Sequence, residues 1–277
     1  MRSFTDFITS NAHHAFIVAH RGAWHNAPEN SLAAIAHAIE HGYDIAEIDV
    51  QCSQDGILFL YHDDTMTRMT TQHEDPQTLC WHELQRIHLR ARNGGTSQPL
   101  TDQRIVSLEE VLMIAKGKIF LDLDIKYPSL YAPTITMVHR CGMSEQVDIK
   151  MKIRHTQDIE KLLALREEAD LMVMPQMDLA TAPLMLLTNF HSPMIEVKFD
   201  TLQAVHTQAP LFRDKGIALW VNTLDEVGCP PYTDHYALQD PDGVWGVLYR
   251  AGVRIFQTDE PETLQAYTRH TDFIQNL

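Results

Sequence analysis

Four short groups of polar residues stand where apolar runs would be expected to end. His20 and Arg21 close "FIVAH" (16–20), and Glu47 and Asp49 sit two apart in "IAEIDV" (45–50). His62 and Asp63 end and follow "ILFLYH" (57–62), while Asp122, Asp124 and Lys126 alternate along and past "KIFLDLDI" (118–125). Residues two apart on a strand share a face. Taken singly, such pairs read as solvated or salt-bridged side chains; together they fall at strand ends in one predicted ring. Carboxylates gathered inside that ring would repel one another and lose hydration unless a cation neutralises them. With oxygen as the only donor, the cation expected is hard, Mg2+ or Ca2+, rather than zinc.

The elements that position these residues are legible as short apolar runs separated by helical patterns. Further candidate strands are "VDIKMKI" (147–153), "LMVMP" (171–175), "MIEVKF" (194–199), "IALWVN" (217–222) and "GVRIFQT" (252–258). Ser31 is placed to cap a helix with Leu32, Ile35, Ala36 and Ile39 on one face, ending near Gly42. Ser107 and Glu110 have capping-box spacing ahead of Val111, Leu112 and Ala115, and Thr223 with Glu226 repeats it after Asn222. Pro261 suits a first helical turn. About eight strand–helix alternations predict an α/β fold, a (β/α)8 TIM barrel, with chemistry at the carboxyl ends of its strands. The run 57–62 interrupts the alternation and reads as an extension of the second strand back toward the barrel mouth. Residues 64–104, rich in Thr, Gln, His and Gly, read as a small insertion after that strand, an excursion over one barrel end. The expected organisation is one domain over 1–277.

Composition limits the partners. A net charge of −15, from 22 basic and 37 acidic residues, argues against nucleic acid or an anionic membrane surface. A phosphate-bearing substrate would need a positive field made locally. Cys52, Cys80, Cys141 and Cys229 show no C-x-x-C pairing, so reduced structural thiols are expected rather than a zinc ribbon or disulfide framework. The start of the chain lacks the pattern of a secretion signal, and no segment approaches the roughly 18 apolar residues of a membrane span. The expectation is a cytoplasmic protein with no stable membrane association, acting on a small molecule; its oligomeric state has no signature in the sequence.

The motifs "AHRG…PENS", "EIDVQCSQDGILFLYHDDTMTR", "SLEEVL", "LDIK", "LWVNT" and "GVRIFQTDEPETL" together resemble the glycerophosphodiester phosphodiesterase family. The resemblance is dense in the first half of the chain and returns in the last two strands. It implies a TIM barrel with an insertion after the second strand and metal-dependent hydrolysis of glycerophosphodiesters to an alcohol and glycerol phosphate. It implies His20 and His62 as the acid/base pair and Glu47, Asp49 and Asp124 as ligands of one divalent cation. Arg21 and Lys126 then serve the phosphate, and Glu29 helps near the metal or the substrate glycerol. Trp220 and Asn222, in the segment that returns to the family pattern, join the substrate side.

One departure from the pattern is Asp124, where the family usually carries Glu. The shorter side chain requires the ion to sit closer to that strand or a water to intervene, with Asp122, deeper on the same face, able to assist. Lys150, Lys152, Glu196 and Lys198 stand where apolar filler is ordinary. Facing inward they would extend the site, with Lys152 and Lys198 toward an anionic substrate; facing outward they would form an ion-paired surface. Competing readings are a phospholipase D-like lyase that leaves a cyclic phosphate, and a catalytically silent sugar-phosphate binding protein. A zinc amidohydrolase is disfavoured because no H-x-H pair ends the first strand. The alcohol released has no decodable signal, even in the 227–245 loop with Tyr236 and Trp245.

Overall fold

A computed structural model describes residues 2–180 and 192–270. The fold is a (β/α)8 barrel. Its strands are β1 (Phe16–Ala19), β2 (Ile45–Cys52), β3 (Leu58–Leu60), β4 (His88–Arg90), β5 (Leu100–Arg104), β6 (Phe120–Ile125), β7 (Val147–Ile153), β8 (Met172–Asp178), β9 (Met194–Lys198), β10 (Ala218–Asn222) and β11 (Val253–Thr258). The main sheet runs β1-β11-β10-β9-β8-β7-β6-β2-β3, β1 also pairs with β2, and β4–β5 form a separate sheet. Every strand run read from the sequence is a strand, with ends displaced by a few residues. The chain forms two compact units, Ala19–Val147 and residues 2–18 with 148 onward. Among the described residues, no helix is long and apolar enough to cross a membrane.

In the first unit, β2 and β6 pair in parallel with Glu47 opposite Asp122 and Asp49 opposite Asp124. The extension β3 folds back antiparallel on β2, with Val50 opposite Leu60. Ser53 makes this turn: its Oγ accepts from Ile57 N at 2.9 Å and donates to Asp55 Oδ1 at 2.7 Å. The helix Leu32–His41 buries Ala34, Ile35 and Ala38, is capped by Ser31, and ends at Gly42 in the left-handed conformation. The helix Leu108–Ala115 carries the complete Ser107–Glu110 capping box. Residues 64–104 are more ordered than their composition suggests. They hold the β4–β5 pair and a short helix, Trp81–Leu84, over a satellite core of Phe59, Tyr61, Met66, Met69, Leu84, Leu89 and Ile105. Those apolar residues have no regular spacing, so periodicity could not reveal them.

In the second unit, β7 to β11 pair in parallel. The helices Thr156–Ala169, Leu202–Arg213 and Pro261–His270 follow strands as expected, and the Ser3-capped helix Phe4–Ser10 is an addition. One helix start is corrected: no helix begins at Thr223. The Thr223 hydroxyl is taken by Asp234 Oδ1 (2.6 Å) and Gln257 O (3.2 Å), and the next helix is Asp234–Ala237. The same hydroxyl accepts from Trp245 Nε1 at 3.4 Å, so its acceptor role also goes to a distant partner rather than to a local backbone N–H.

Candidate active site

The first unit assembles the site from the turn that ends β1. Arg21 has φ +55°, and Gly22 has φ +79°. A Cβ on Gly22 would lie 2.9 Å from Ala34 Cβ, so only glycine lets the turn press on the following helix. This geometry turns Arg21 N toward Glu47, donating to Oε2 at 3.0 Å. The Arg21 guanidinium donates to both Glu29 oxygens at 3.2 and 3.0 Å, and its Nε lies 3.4 Å from Asp49 Oδ2. His20 Nε2 stands 4.0 Å from Glu47 Oε2.

Parallel register then brings the carboxylates together. One ligand oxygen each from Glu47, Asp49 and Asp124 lies within 4.8 Å of the other two. Glu47 and Asp49 are 2% exposed. Glu47 and Asp49 are buried and Asp124 is half-buried, so a divalent cation among the three would relieve their repulsion, and their all-oxygen donor set fits Mg2+ or Ca2+. Asp124, despite its shorter side chain, reaches this cluster. Asp122 is fully buried beside Glu47 in the register but stands outside the cluster. Burial and then the Asp124 carboxylate push the Tyr131 phenol up to about 12, so Tyr131 stays neutral beside that carboxylate. Lys126 follows β6 with its backbone N donating to Val50 O at 3.2 Å.

Residues outside the expected set hold this arrangement. Asn30, with φ +54°, donates from Nδ2 to Asp49 Oδ2 at 2.8 Å and accepts from Asp49 N at 3.1 Å. Gln51 Nε2 donates to Tyr61 O and Asp63 O at 2.9 and 3.0 Å, clamping the segment that carries His62. Asp63 Oδ1 lies 2.7 Å from His62 Nδ1, and Arg68 binds Asp63 and Glu29 together. Burial favours a neutral Asp63, but the hydrogen bonds to His62 and Arg68 outweigh it and hold the carboxyl well below the usual range. Glu29 is likewise buried and held below its ordinary value, first by Arg68 and then by Arg21. Asn30 sits inside the Pro-Glu-Asn-Ser motif, Asp63 directly follows His62 and Arg68 closes the "EIDVQCSQDGILFLYHDDTMTR" motif, so sequence marks all three, though not their partners.

The second unit places the remaining expected residues. Lys150 and Glu196 form a buried pair at 3.2 Å, which decides for the inward reading of these two. Asn222 Nδ2 donates to Glu196 Oε1 at 3.0 Å, and Trp220 Nε1 donates to Asn222 Oδ1 at 3.2 Å. Lys150 Nζ lies 5.5 Å from the Trp220 ring centroid. Lys152 and Lys198 are exposed. Lys198 and Asn222 line a cavity of about 350 Å3 with Asp178 and Asp200.

Fold and site together define an α/β barrel whose clustered carboxylates suit a hard divalent cation. The chain belongs to the glycerophosphoryl diester phosphodiesterase family, whose pattern matches residues 20–263. A glycerophosphodiester phosphodiesterase of Caldanaerobacter subterraneus is 30% identical over 153 residues, covering 53% of this chain and 62% of that protein. Glycerophosphodiester phosphodiesterase 1 of Mus musculus is 35% identical over 95 residues, covering 34% and 28%. The alignments thus span less than two thirds of these curated relatives. A glycerophosphoryl diester phosphodiesterase structure from Parabacteroides distasonis superposes with TM-score 0.75 at 22% identity, covering 97% of this chain and 93% of the other. An Oleispira antarctica phosphodiesterase, solved with the product sn-glycerol-3-phosphate, gives TM-score 0.64 at 21% identity, covering 92% and 96%.

Proposed function

We propose that this chain hydrolyses glycerophosphodiesters to an alcohol and glycerol phosphate, using one Mg2+ or Ca2+ and the His20/His62 pair. The observation that carries the reading is the convergence of Glu47, Asp49 and Asp124 within 4.8 Å, the first two buried and the third half-buried, with His20 against Glu47. Family membership supports it, and the glycerol phosphate bound to the Oleispira protein matches the expected product.

Glu47, Asp49 and Asp124 would hold the ion, which when bound supplies positive charge for a non-bridging phosphate oxygen. Arg21 adds charge from a guanidinium already pinned by Glu29, so little rotamer freedom is lost when a phosphate arrives. Lys126 adds to the same local field, which the acidic chain as a whole would oppose. One imidazole removes a proton from the attacking oxygen and the other protonates the departing alkoxide. An alkoxide leaves poorly, so the proton donor matters more here than for a phosphate leaving group. On the substrate side, the shared cavity of Lys198 and Asn222 supports assigning both to binding, with Lys152 and Trp220 in the same proposed set. The proposed acting unit is one domain over 1–277, in a cytoplasmic setting.

The test is hydrolysis of glycerophosphocholine by protein stripped with chelator and then given Mg2+ or Ca2+. Activity is expected only with metal, and His20→Ala and His62→Ala should each lower kcat by about 10²–10⁴-fold. Full turnover in excess chelator, or near-normal turnover in either variant, refutes the assignment. Phosphorus NMR of the products separates open from cyclic phosphate.

A further inference from the structure

We propose that Arg68, carried by the 64–104 excursion, is a positioning residue that sets His62 and Arg21 together, and that Asp63 is the group fixing the imidazole. This rests on the phosphodiesterase reading of the same site.

The geometry forms one chain of charges. His62 Nδ1 lies 2.7 Å from Asp63 Oδ1. Arg68 Nε donates to Asp63 Oδ2 at 2.8 Å, and its Nη2 donates to Oδ1 at 2.9 Å. The same guanidinium donates from Nη2 to Glu29 Oε1 at 2.6 Å and from Nη1 to Glu29 Oε2 at 2.9 Å. Glu29 in turn accepts from Arg21 Nη1, whose Nε faces Asp49 at 3.4 Å. One guanidinium therefore spans two carboxylates, and each carboxylate holds one basic group of the site.

An ionised carboxylate only accepts hydrogen bonds, and Arg68 donates to both oxygens of Asp63. His62 Nδ1 must then carry the hydrogen it shares with Asp63, which leaves Nε2 to exchange a proton with substrate. Free imidazole side chains favour the opposite tautomer, so the preference has to come from Asp63. Rotation of that carboxylate would release it, and Arg68 prevents the rotation. A planar fork of donors can grip two carboxylates at once, whereas an ammonium cannot match that geometry.

The excursion is built to hold this guanidinium. Arg68 O accepts from Gly95 N at 2.7 Å, and Arg68 Nη1 donates to Asn93 O. Gly94 has φ +75°, and a Cβ there would lie 2.6 Å from Arg68 O. Arg92 O accepts from Glu29 N at 2.9 Å. The corner 92–95 thus fastens Arg68 and Glu29 together.

The experiment compares wild type, Asp63→Asn and Arg68→Lys by steady-state kinetics and by 15N NMR of His62, its signals assigned with His62→Gln. In wild type, His62 should be Nδ1-protonated when neutral. Asp63→Asn should lose that tautomer and lower kcat by about 10²-fold with KM within about 3-fold. Arg68→Lys should lower kcat by at least about 10-fold and also raise KM, because Arg21 loosens with Glu29. A residue of merely structural importance would lower stability without moving the tautomer. A neutral His62 protonated on Nε2 in wild type, or kcat within about 3-fold of wild type in both variants, overturns the proposal. If Arg68→Lys does not fold, Asp63→Asn decides by the same two readouts. If wild type turns over no glycerophosphodiester yet shows the Nδ1-protonated ring lost in Asp63→Asn, the phosphodiesterase reading fails and the positioning stands.

Discussion

Asp63 and Asp234 are one residue type whose proton affinity is shifted in opposite directions by their surroundings. Asp63 is clamped by a guanidinium and an imidazole, which overcome its burial and keep it ionised. Among the described residues, Asp234 is bonded by neutral groups: Thr223 and Thr258 hydroxyls and Asp259 N donate to it at 2.6, 2.8 and 2.8 Å. Burial dominates there, and its carboxyl is raised to about 7. Between the unfolded value near 3.8 and the folded value near 7, the native state holds a proton that the unfolded state has lost. Stability from this group is therefore full below about pH 4 and falls as pH rises toward 7, by at most about 1.4 kcal/mol per pH unit. Denaturant unfolding at pH 5 and pH 7.5 should show that decline in wild type and a flatter profile in Asp234→Asn. An unchanged slope in the variant would assign the pH dependence elsewhere. The charges that matter most at the site were visible as residue types, but which carboxylate would be ionised was set by partners far along the chain.

At the scale of elements, the Pro-Glu-Asn-Ser segment joins a helix start to the site. Ser31 Oγ accepts from Ala34 N at 3.1 Å and donates to Pro28 O at 2.6 Å, so one hydroxyl caps the helix and closes the loop holding Glu29 and Asn30. Ser31→Ala should cost about 1 kcal/mol by thermal or denaturant unfolding, and should lower turnover because Asn30 no longer aligns Asp49. Loss of stability with unchanged turnover would separate the cap from the site. Strands, caps and stops near the site were legible because each depends on neighbours a few residues away: Ser107 with Glu110, Ser31 with Ala34, Gly42 at a helix end. Thr223 shows where such reading breaks down. Its local spacing favours a cap, yet a buried carboxylate 11 residues later captures the hydroxyl. The order within 64–104 was hidden for a related reason, since its core forms by contact between Phe59 or Ile105 and residues without periodic spacing.

For the whole molecule, a metal that binds only the folded chain stabilises it by mass action, about 2.7 kcal/mol at a hundredfold excess over Kd. Mg2+ or Ca2+ should therefore raise Tm by several degrees in wild type, while Asp124→Asn should show little shift; equal shifts in both would place the ion elsewhere. This readout does not depend on turnover. The sequence alone was enough for the barrel and for the acidic, imidazole and arginine side chains at its strand ends, because alternation along strands and polar groups at their ends are short-range patterns, while the roles proposed for His20, His62 and Arg21 came from the family resemblance. Tertiary structure decided which oxygens converge, that Asn30 aligns Asp49, and that Arg68 ties Asp63 to Glu29 across 39 residues of chain. A guanidinium finds its partners by position in space, and separation along the chain carries no trace of that distance.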